Sequence, residues 1–489
     1  MTDKPVSTKV LLVRLAPGDT PAALQARIEA AAGPVAGELL CWLDGPWCYL
    51  PGGHQELLAT RRADRDVSGL VLAAGAAEVR TAGFREFAAR LAARSEIPGF
   101  LRDAGASGVA PPGVVGDTAR VAGRTVALDW QLTVAGIDKA WALFDPSPGL
   151  LPWREIRVGH IDTGCTRHPA LGFADPGGDV SDFVRPDLGL NLFQPPPPDD
   201  GRPDFRPPEE DGPFDNLSGP NGGHGTSTLS VLAGFYDTPD DSEPPFHGAA
   251  PGAAVIPYRV TDSVLIDAVQ RSVAAAIDHA VGQGCRVISM SLGGIVPFRR
   301  LSDAIDRAYE AGVIVCAAAG NVIREVTYPG RYNRVVTVGG VRPDGNPGDA
   351  FRFAPWDGAS RGVFVDVCGP ADGIRRARAR RDADFEYFIS GQGSGTSYAT
   401  ALCAGIAVLW LARRGAELRA AYGPPGWRWP AACKRLLMET ADRPGGWDTA
   451  NWGRGAYRAD RLLAAALPAA ASLVREAPAA DPVDLSVIP

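Results

Sequence analysis

The chain has 489 residues, with 49 Lys+Arg against 56 Asp+Glu and a formal net charge of −7. That length supports a large core and more than one domain. The acidic balance gives no bulk basic footprint for nucleic acid, and no apolar stretch is expected to reach the roughly 18–20 residues a bilayer span requires.

Residues 1–103 read as a small α+β unit. Lys9–Arg14 is a strand candidate. Thr20 precedes a predicted helix over 21–32 that has Pro21 at its first position and Gly33 as its stop. The segments 39–43 and 47–50, joined through Asp44-Gly45-Pro46, predict a hairpin, and Cys41 and Cys48 are its two thiols. Residues 69–73 suggest another short strand and 84–93 a helix. The first residues carry only a short apolar run before Arg14, where a secretory signal has about 7–15 apolar residues, so the expected location is cytoplasmic. The Gly-, Ala- and Pro-rich stretch around 105–116 marks a linker over 104–128. A main domain is expected over 129–467. The Ala/Pro-rich end, 468–489, reads as a disordered tail. The eight cysteines show no zinc spacing, and most sit in apolar patterns, so they read as buried free thiols suited to a reducing compartment.

Within the main domain, Asp162 ends the apolar run Ile156-Arg157-Val158-Gly159-His160-Ile161. Such a run predicts a buried parallel strand, and open parallel α/β sheets place their sites at strand carboxyl ends. An aspartate opening a turn would look the same. His224 lies in Gly222-Gly223-His224-Gly225-Thr226-Ser227, a loop-to-helix junction where flanking glycines permit close backbone approach. Ser397 lies in Gly393-Ser394-Gly395-Thr396-Ser397-Tyr398-Ala399, before the apolar run 401–410. A helix N-terminus presents unpaired N–H groups and favours developing negative charge, which suits a serine nucleophile. A serine hydroxyl needs a base and an orienting carboxylate, and among six histidines His224 is the candidate base.

Two charged or proline-rich stretches read as surface. Residues 194–212 hold Pro195–Pro198 and several carboxylates, the pattern of an extended solvated loop. The run Arg375–Arg381 reads as an exposed solvated face, with recruitment of an acidic substrate as its alternative.

The order Asp162, His224, Ser397 is the subtilisin order. From Trp130 to about Ala466 the chain resembles the subtilisin-like serine peptidases. The resemblance is carried by Val158–Gly164, Gly223–Thr226, Gly395–Ala399, Cys285–Gly294, Val313–Asn321, Tyr328–Gly339 and Gly453–Tyr457. It implies an α/β fold with a mainly parallel sheet flanked by helices. It implies that Ser397 attacks a peptide carbonyl, His224 carries the proton and Asp162 holds the imidazole. It assigns the Asn321 amide and the Ser397 N–H to the oxyanion, and a substrate edge at Ser291, Leu292 and Gly293. Small residues Ala318, Ala319 and Gly320, with Thr327 near the base, would form the pocket for the residue before the scissile bond. The implied partner is a peptide or protein. Acyl transfer to an amine by a macrocyclase or transpeptidase is one alternative, and a catalytically silent peptide-binding scaffold another. The first 103 residues stand where family members carry a propeptide, and a retained regulatory domain is an equal reading. No cofactor is expected. Calcium is the one candidate ion, yet the run His168-Pro169-Ala170-Leu171 has alanine where the family carries a ligand aspartate. Ala401 stands at a usual proline. His160 replaces a usually apolar residue and reads as a buried, hydrogen-bonded histidine.

Overall fold

The computed structural model describes residues 9–32, 40–41, 47–50, 73–83, 118–121, 124–127, 130–144, 151–174, 178–193, 212–217, 220–236, 245–321, 323–344, 352–381 and 385–478. In the N-terminal unit, β1 (Lys9–Arg14), β2 (Leu40–Cys41), β3 (Trp47–Leu50) and β4 (Glu78–Gly83) form an antiparallel sheet in the order β2-β3-β1-β4. The helix Pro21–Ala32 buries Leu24 and Ile28. β4 was not foreseen. It is an edge strand, and Glu78-Val79-Arg80-Thr81 has no apolar run to announce it. The expected elements at 69–72 and 84–93 lie outside the described residues, as do the proline-rich loop at 194–211 and the glycine-rich stretch at 105–116. The expected linker is not structureless throughout: β5 (Thr118–Val121) and β6 (Arg124–Ala127) pair as a hairpin within it.

The main domain is built on a sheet of β7 (Val158–Asp162), β8 (Leu190–Asn191), β11 (Val255–Arg259), β12 (Val287–Met290), β13 (Ile314–Ala318), β14 (Val336–Pro343) and β15 (Phe353–Pro355). Between β8 and β11 the chain makes the small hairpin β9 (Phe235–Tyr236) and β10 (Phe246–His247). The strand order is β15-β14-β13-β12-β7-β11-β8, with β16 (Val367–Pro370) also on β14. Every pairing is parallel except β14 with β15. β7, β11, β12 and β13 are buried at each residue, which is why they read as mainly apolar runs without polar alternation.

Helices Gln270–Gly282 and Arg299–Glu310 cover one face, packing Val273, Ile277, Leu301 and Ile305 with Ile161, Ile288 and Val315 of the sheet. Helices His224–Ala233 and Thr396–Tyr422 belong to the core on the other face, with Val158, Val287, Ile314 and Cys316. Against the expectation of no such stretch, the 27-residue helix is long and apolar enough to cross a bilayer by length and composition. In this fold 89% of its most apolar 18-residue window is buried by protein, and a helix segment enclosed on all sides is apolar all round.

Two further expectations are corrected. The arginine run is not a solvated face. It forms β17 (Ile374–Arg381), paired with β18 (Phe385–Gly393), and Arg375 and Arg376 are buried. Strand geometry and packing against the His224 helix explain this. Ser227 Oγ donates to the Ala377 carbonyl, the Ala377 N–H donates to Ser230 Oγ, and the Arg376 guanidinium lies 5.4 Å over the Tyr398 ring. Only Arg380 and Arg381, at the far end, are exposed. The start of the tail is also ordered against the domain: Leu473 is buried, Arg475 pairs with Glu310, and Arg334 donates to the Glu476 carbonyl. Residues 479–489 lie outside the described residues.

Candidate active site

Asp162 is the last residue of the central strand β7. His224 opens its helix, and Ser397 is the second residue of the long core helix. Gly225 explains why the histidine is followed by glycine. A Cβ there would lie 1.9 Å from the Gly164 carbonyl oxygen, so the helix can seat beside the Asp162 loop only without a side chain.

The three side chains form one line. His224 Nδ1 is 2.7 Å from Asp162 Oδ1, and His224 Nε2 is 3.1 Å from Ser397 Oγ. All three are buried. The Asp162 carboxylate also accepts from the Thr163 N–H at 2.8 Å and from the Thr228 hydroxyl, on Oδ2, at 3.1 Å. Burial pushes this carboxyl up, but the charge and hydrogen bond of His224 outweigh it, so Asp162 is held below the ordinary carboxylate range. Ser397 Oγ has a second acceptor in reach, the Ser291 carbonyl at 3.3 Å, while Ser291 Oγ donates to the Ser397 carbonyl at 2.8 Å.

Asn321 is oriented by Thr396. Its Oδ1 accepts from the Thr396 N–H and hydroxyl, both at 3.0 Å. The amide nitrogen then faces the Gly395–Ser397 turn, where a Cβ built on Gly395 would sit 3.6 Å from it. This is an arrangement of donors suited to an oxyanion formed at Ser397.

Beside Ser397 lies a cavity lined by Leu292, Gly293, Ile295, Ala318, Gly320, Ile323 and Thr327. Thr327 sits between the two glycines: a Cβ on Gly293 would be 2.3 Å from its hydroxyl, and one on Gly320 2.9 Å from its methyl. Ala319 is not part of this lining. Neighbouring positions of an extended chain point oppositely, so Ala318 and Gly320 border the cavity while Ala319 is fully buried in the core. Val264, Leu265, Ile295 and Ile323 were missed; they come from loops with no motif of their own. The edge at Gly293 is also not open. Its N–H donates to the Val264 carbonyl at 2.9 Å, and its carbonyl accepts from the Ile266 N–H at 3.1 Å.

Two more polar groups, Asp215 and Asp267, hold the site and carried no sequence signal. Asp215 accepts from the Thr163 hydroxyl and the Gly223 N–H, tying the aspartate loop to the histidine turn, and the Gly225 N–H donates to the same Thr163 oxygen. Burial pushes the Asp215 carboxyl up, against the pull of those donors. Asp267 anchors the turn beyond Gly294, accepting from the Ile295 and Val296 N–H groups at 2.9 and 2.8 Å. Burial raises its pKa to about 6. Because the folded value lies above the unfolded one, the folded chain binds the extra proton, and this group's contribution to stability is lost as pH rises from about 4 to 6. Replacing Asp267 with asparagine is therefore expected to flatten that part of the melting temperature against pH. An unchanged slope would show that Asp267 ionises as freely folded as unfolded.

His160 is fully buried, and its Nε2 is 3.0 Å from Thr228 Oγ1. Burial lowers its pKa to about 4, with Asp162 pulling the other way, so at neutral pH it is uncharged. Cys165, Cys285, Cys316, Cys368, Cys403 and Cys433 are buried and free. Burial pushes Cys165, next to the site, up to about 12, which removes it as a nucleophile. Among the described residues no three His, Cys, Asp or Glu side chains converge on a point that could hold a metal ion, and residues 237–243, with their carboxylates, lie outside that set.

A parallel α/β sheet with a hydrogen-bonded Asp-His-Ser line at the carboxyl end of its central strand defines a serine hydrolase of the α/β class. Residues 154–456 match the profile of the subtilase family, Peptidase_S8. Thermitase of Thermoactinomyces vulgaris is 30% identical over 249 residues, 50% of this chain and 78% of that protein. The major intracellular serine protease of Bacillus subtilis (strain 168) is 32% identical over 195 residues, 38% of this chain and 51% of that protein. The structure of MycP1 with its N-terminal propeptide removed is 21% identical, with a TM-score of 0.46, over 68% of this chain and 96% of that one. The chain belongs to the subtilase family, and its main domain is a subtilisin-like serine peptidase domain.

Proposed function

We propose that this chain is an endopeptidase that cleaves peptide bonds through an acyl-enzyme on Ser397. The observation that carries the reading is the continuous line from Asp162 through His224 to Ser397 beside the apolar cavity. Ser397 Oγ attacks the carbonyl carbon and passes its proton to His224 Nε2. The negative oxygen of the tetrahedral intermediate is met by the Ser397 N–H and the Asn321 amide. When the C–N bond breaks, His224 returns the proton to the departing amine. Water, deprotonated by His224, then releases the acid and restores the serine. Asp162 stays ionised throughout, holding the imidazole and stabilising its cation.

The cavity lining favours a medium or large apolar side chain before the scissile bond, packed against Leu292, Ile295 and Ile323. A peptide backbone seeking Gly293 has to displace, or pair onto, the Val264–Ile266 segment. Buried free thiols fit a reducing, cytoplasmic setting.

A fluorophosphonate probe tests the assignment. It is expected to label the full chain at a single residue, Ser397, as mapped by mass spectrometry of its peptides. A label on another residue, or none on a folded chain, would remove Ser397 as the nucleophile.

A further inference from the structure

His160 stands two residues before Asp162 on β7 and plays no part in the proton transfers above. Its imidazole makes one hydrogen bond, to Thr228 Oγ1. Among the described residues its Nδ1 is buried without a partner, and so is the hydroxyl of Ser289, its register neighbour on β12. Leaving a buried imidazole nitrogen unpaired is costly, and an apolar side chain would fill the same space without that cost. Packing alone does not account for a histidine here.

Thr228 does. Its hydroxyl has one proton and three acceptors in reach: Asp162 Oδ2 at 3.1 Å, the His224 carbonyl at 3.1 Å and the Gly225 carbonyl at 3.2 Å. The two tautomers of neutral His160 have different consequences. If Nδ1 carries the proton, Nε2 takes the Thr228 proton, a buried N–H is orphaned, and Asp162 Oδ2 loses its donor. If Nε2 carries it, Nε2–H donates to Thr228 Oγ1 and leaves the hydroxyl proton for the carboxylate, the strongest acceptor in reach. Only an acceptor is then unpaired, which is the cheaper omission. The second tautomer satisfies both oxygens of the most buried charge in the site.

We propose that His160 is a positioning residue for the triad: its Nε2–H orients the Thr228 hydroxyl, and Thr228 holds the second oxygen of the Asp162 carboxylate. The inference rests on the triad reading. Oδ1 is shared by Thr163 and His224, so the carboxylate is free to pivot about that oxygen unless Oδ2 is also held. His160 and Thr228 supply that second hold and so keep the imidazole aimed at Ser397.

The test is steady-state kinetics of the full chain on a peptide p-nitroanilide with an apolar residue before the scissile bond. His160→Leu is expected to lower kcat roughly tenfold, the scale of one hydrogen bond to a charged group, with little change in KM. His160→Gln, whose amide nitrogen reaches the place of Nε2, is expected to recover most of that loss. Thr228→Val should match His160→Leu, and the double variant should be no slower than either, because both remove one path. A full kcat in His160→Leu, or losses that add in the double variant, would overturn the proposal. Should His160→Leu not fold, Thr228→Ser and Thr228→Val decide it: the serine keeps the rate and the valine loses it, and equal rates refute the path. Activity that survives in Ser397→Ala is a different result, and it counts against the triad rather than against His160.

Discussion

Peptide hydrolysis by the Ser397→Ala variant is expected to fall about 10⁶-fold, the loss that follows removal of the nucleophile from a subtilisin-type triad. The size follows from the geometry. Among the described residues Ser397 Oγ is the one hydroxyl in contact with His224 Nε2, and the alanine leaves that base with nothing to deprotonate. What remains is the Asn321 amide and the substrate cavity acting on adventitious water. The fold should be unaffected, since the serine side chain packs at a helix N-terminus and makes no bond that joins separate elements apart from its contacts to His224 and the Ser291 carbonyl. The variant should therefore melt near the parent and bind peptide with similar affinity. His224→Ala should lose about as much, and the double variant little more, because serine and histidine act as a unit. Progress curves with enough enzyme to detect so slow a reaction check this. A loss of less than about a hundredfold would mean that another group supplies the nucleophile.

The site was legible because its chemistry falls at element boundaries that sequence marks well. A strand buried on both faces reads as a mainly apolar run, so Val158–Asp162 stands out in the sequence with the carboxylate at its end. Glycine requirements marked the other two junctions, and the 1.9 Å approach at Gly225 shows the constraint behind one of them. Contacts between distant segments did not show. Thr163 and Asp215 meet across 52 residues, and His160 and Thr228 across 68, with nothing in either segment to name its partner. The pairing of Gly293 with Val264 and Ile266 is likewise a product of loop packing. The direction of Ala319 failed for a different reason: a run of small residues gives no alternation from which to read which one faces the cavity. The burial of Arg375 and Arg376 on β17 does not show in the sequence either, because composition does not reveal what meets a guanidinium. Arg375 reaches the Pro245 carbonyl and Arg376 the Tyr398 ring, so their charged heads are met inside the domain.

The second large effect belongs to Asp162. Asp162→Ala is expected to lower kcat by about 10⁴, less than loss of the serine, because the imidazole can still take the proton but is no longer held or stabilised as its cation. Three donors converge on this carboxylate, from His224, Thr163 and Thr228, and alanine leaves all of them facing a small void. The loss should appear in kcat far more than in KM, since no part of Asp162 borders the substrate cavity. Asp162→Asn separates orientation from charge. Thr163 N–H donates to the same oxygen that meets His224, so the asparagine carbonyl is drawn to that position and its amide nitrogen turns toward Thr228. The imidazole then keeps its Nδ1–H tautomer, and what is missing is the negative charge alone. Asparagine should accordingly be faster than alanine. Equal rates in the two variants would assign the whole contribution of Asp162 to its charge, and an unimpaired alanine variant would remove it from the triad.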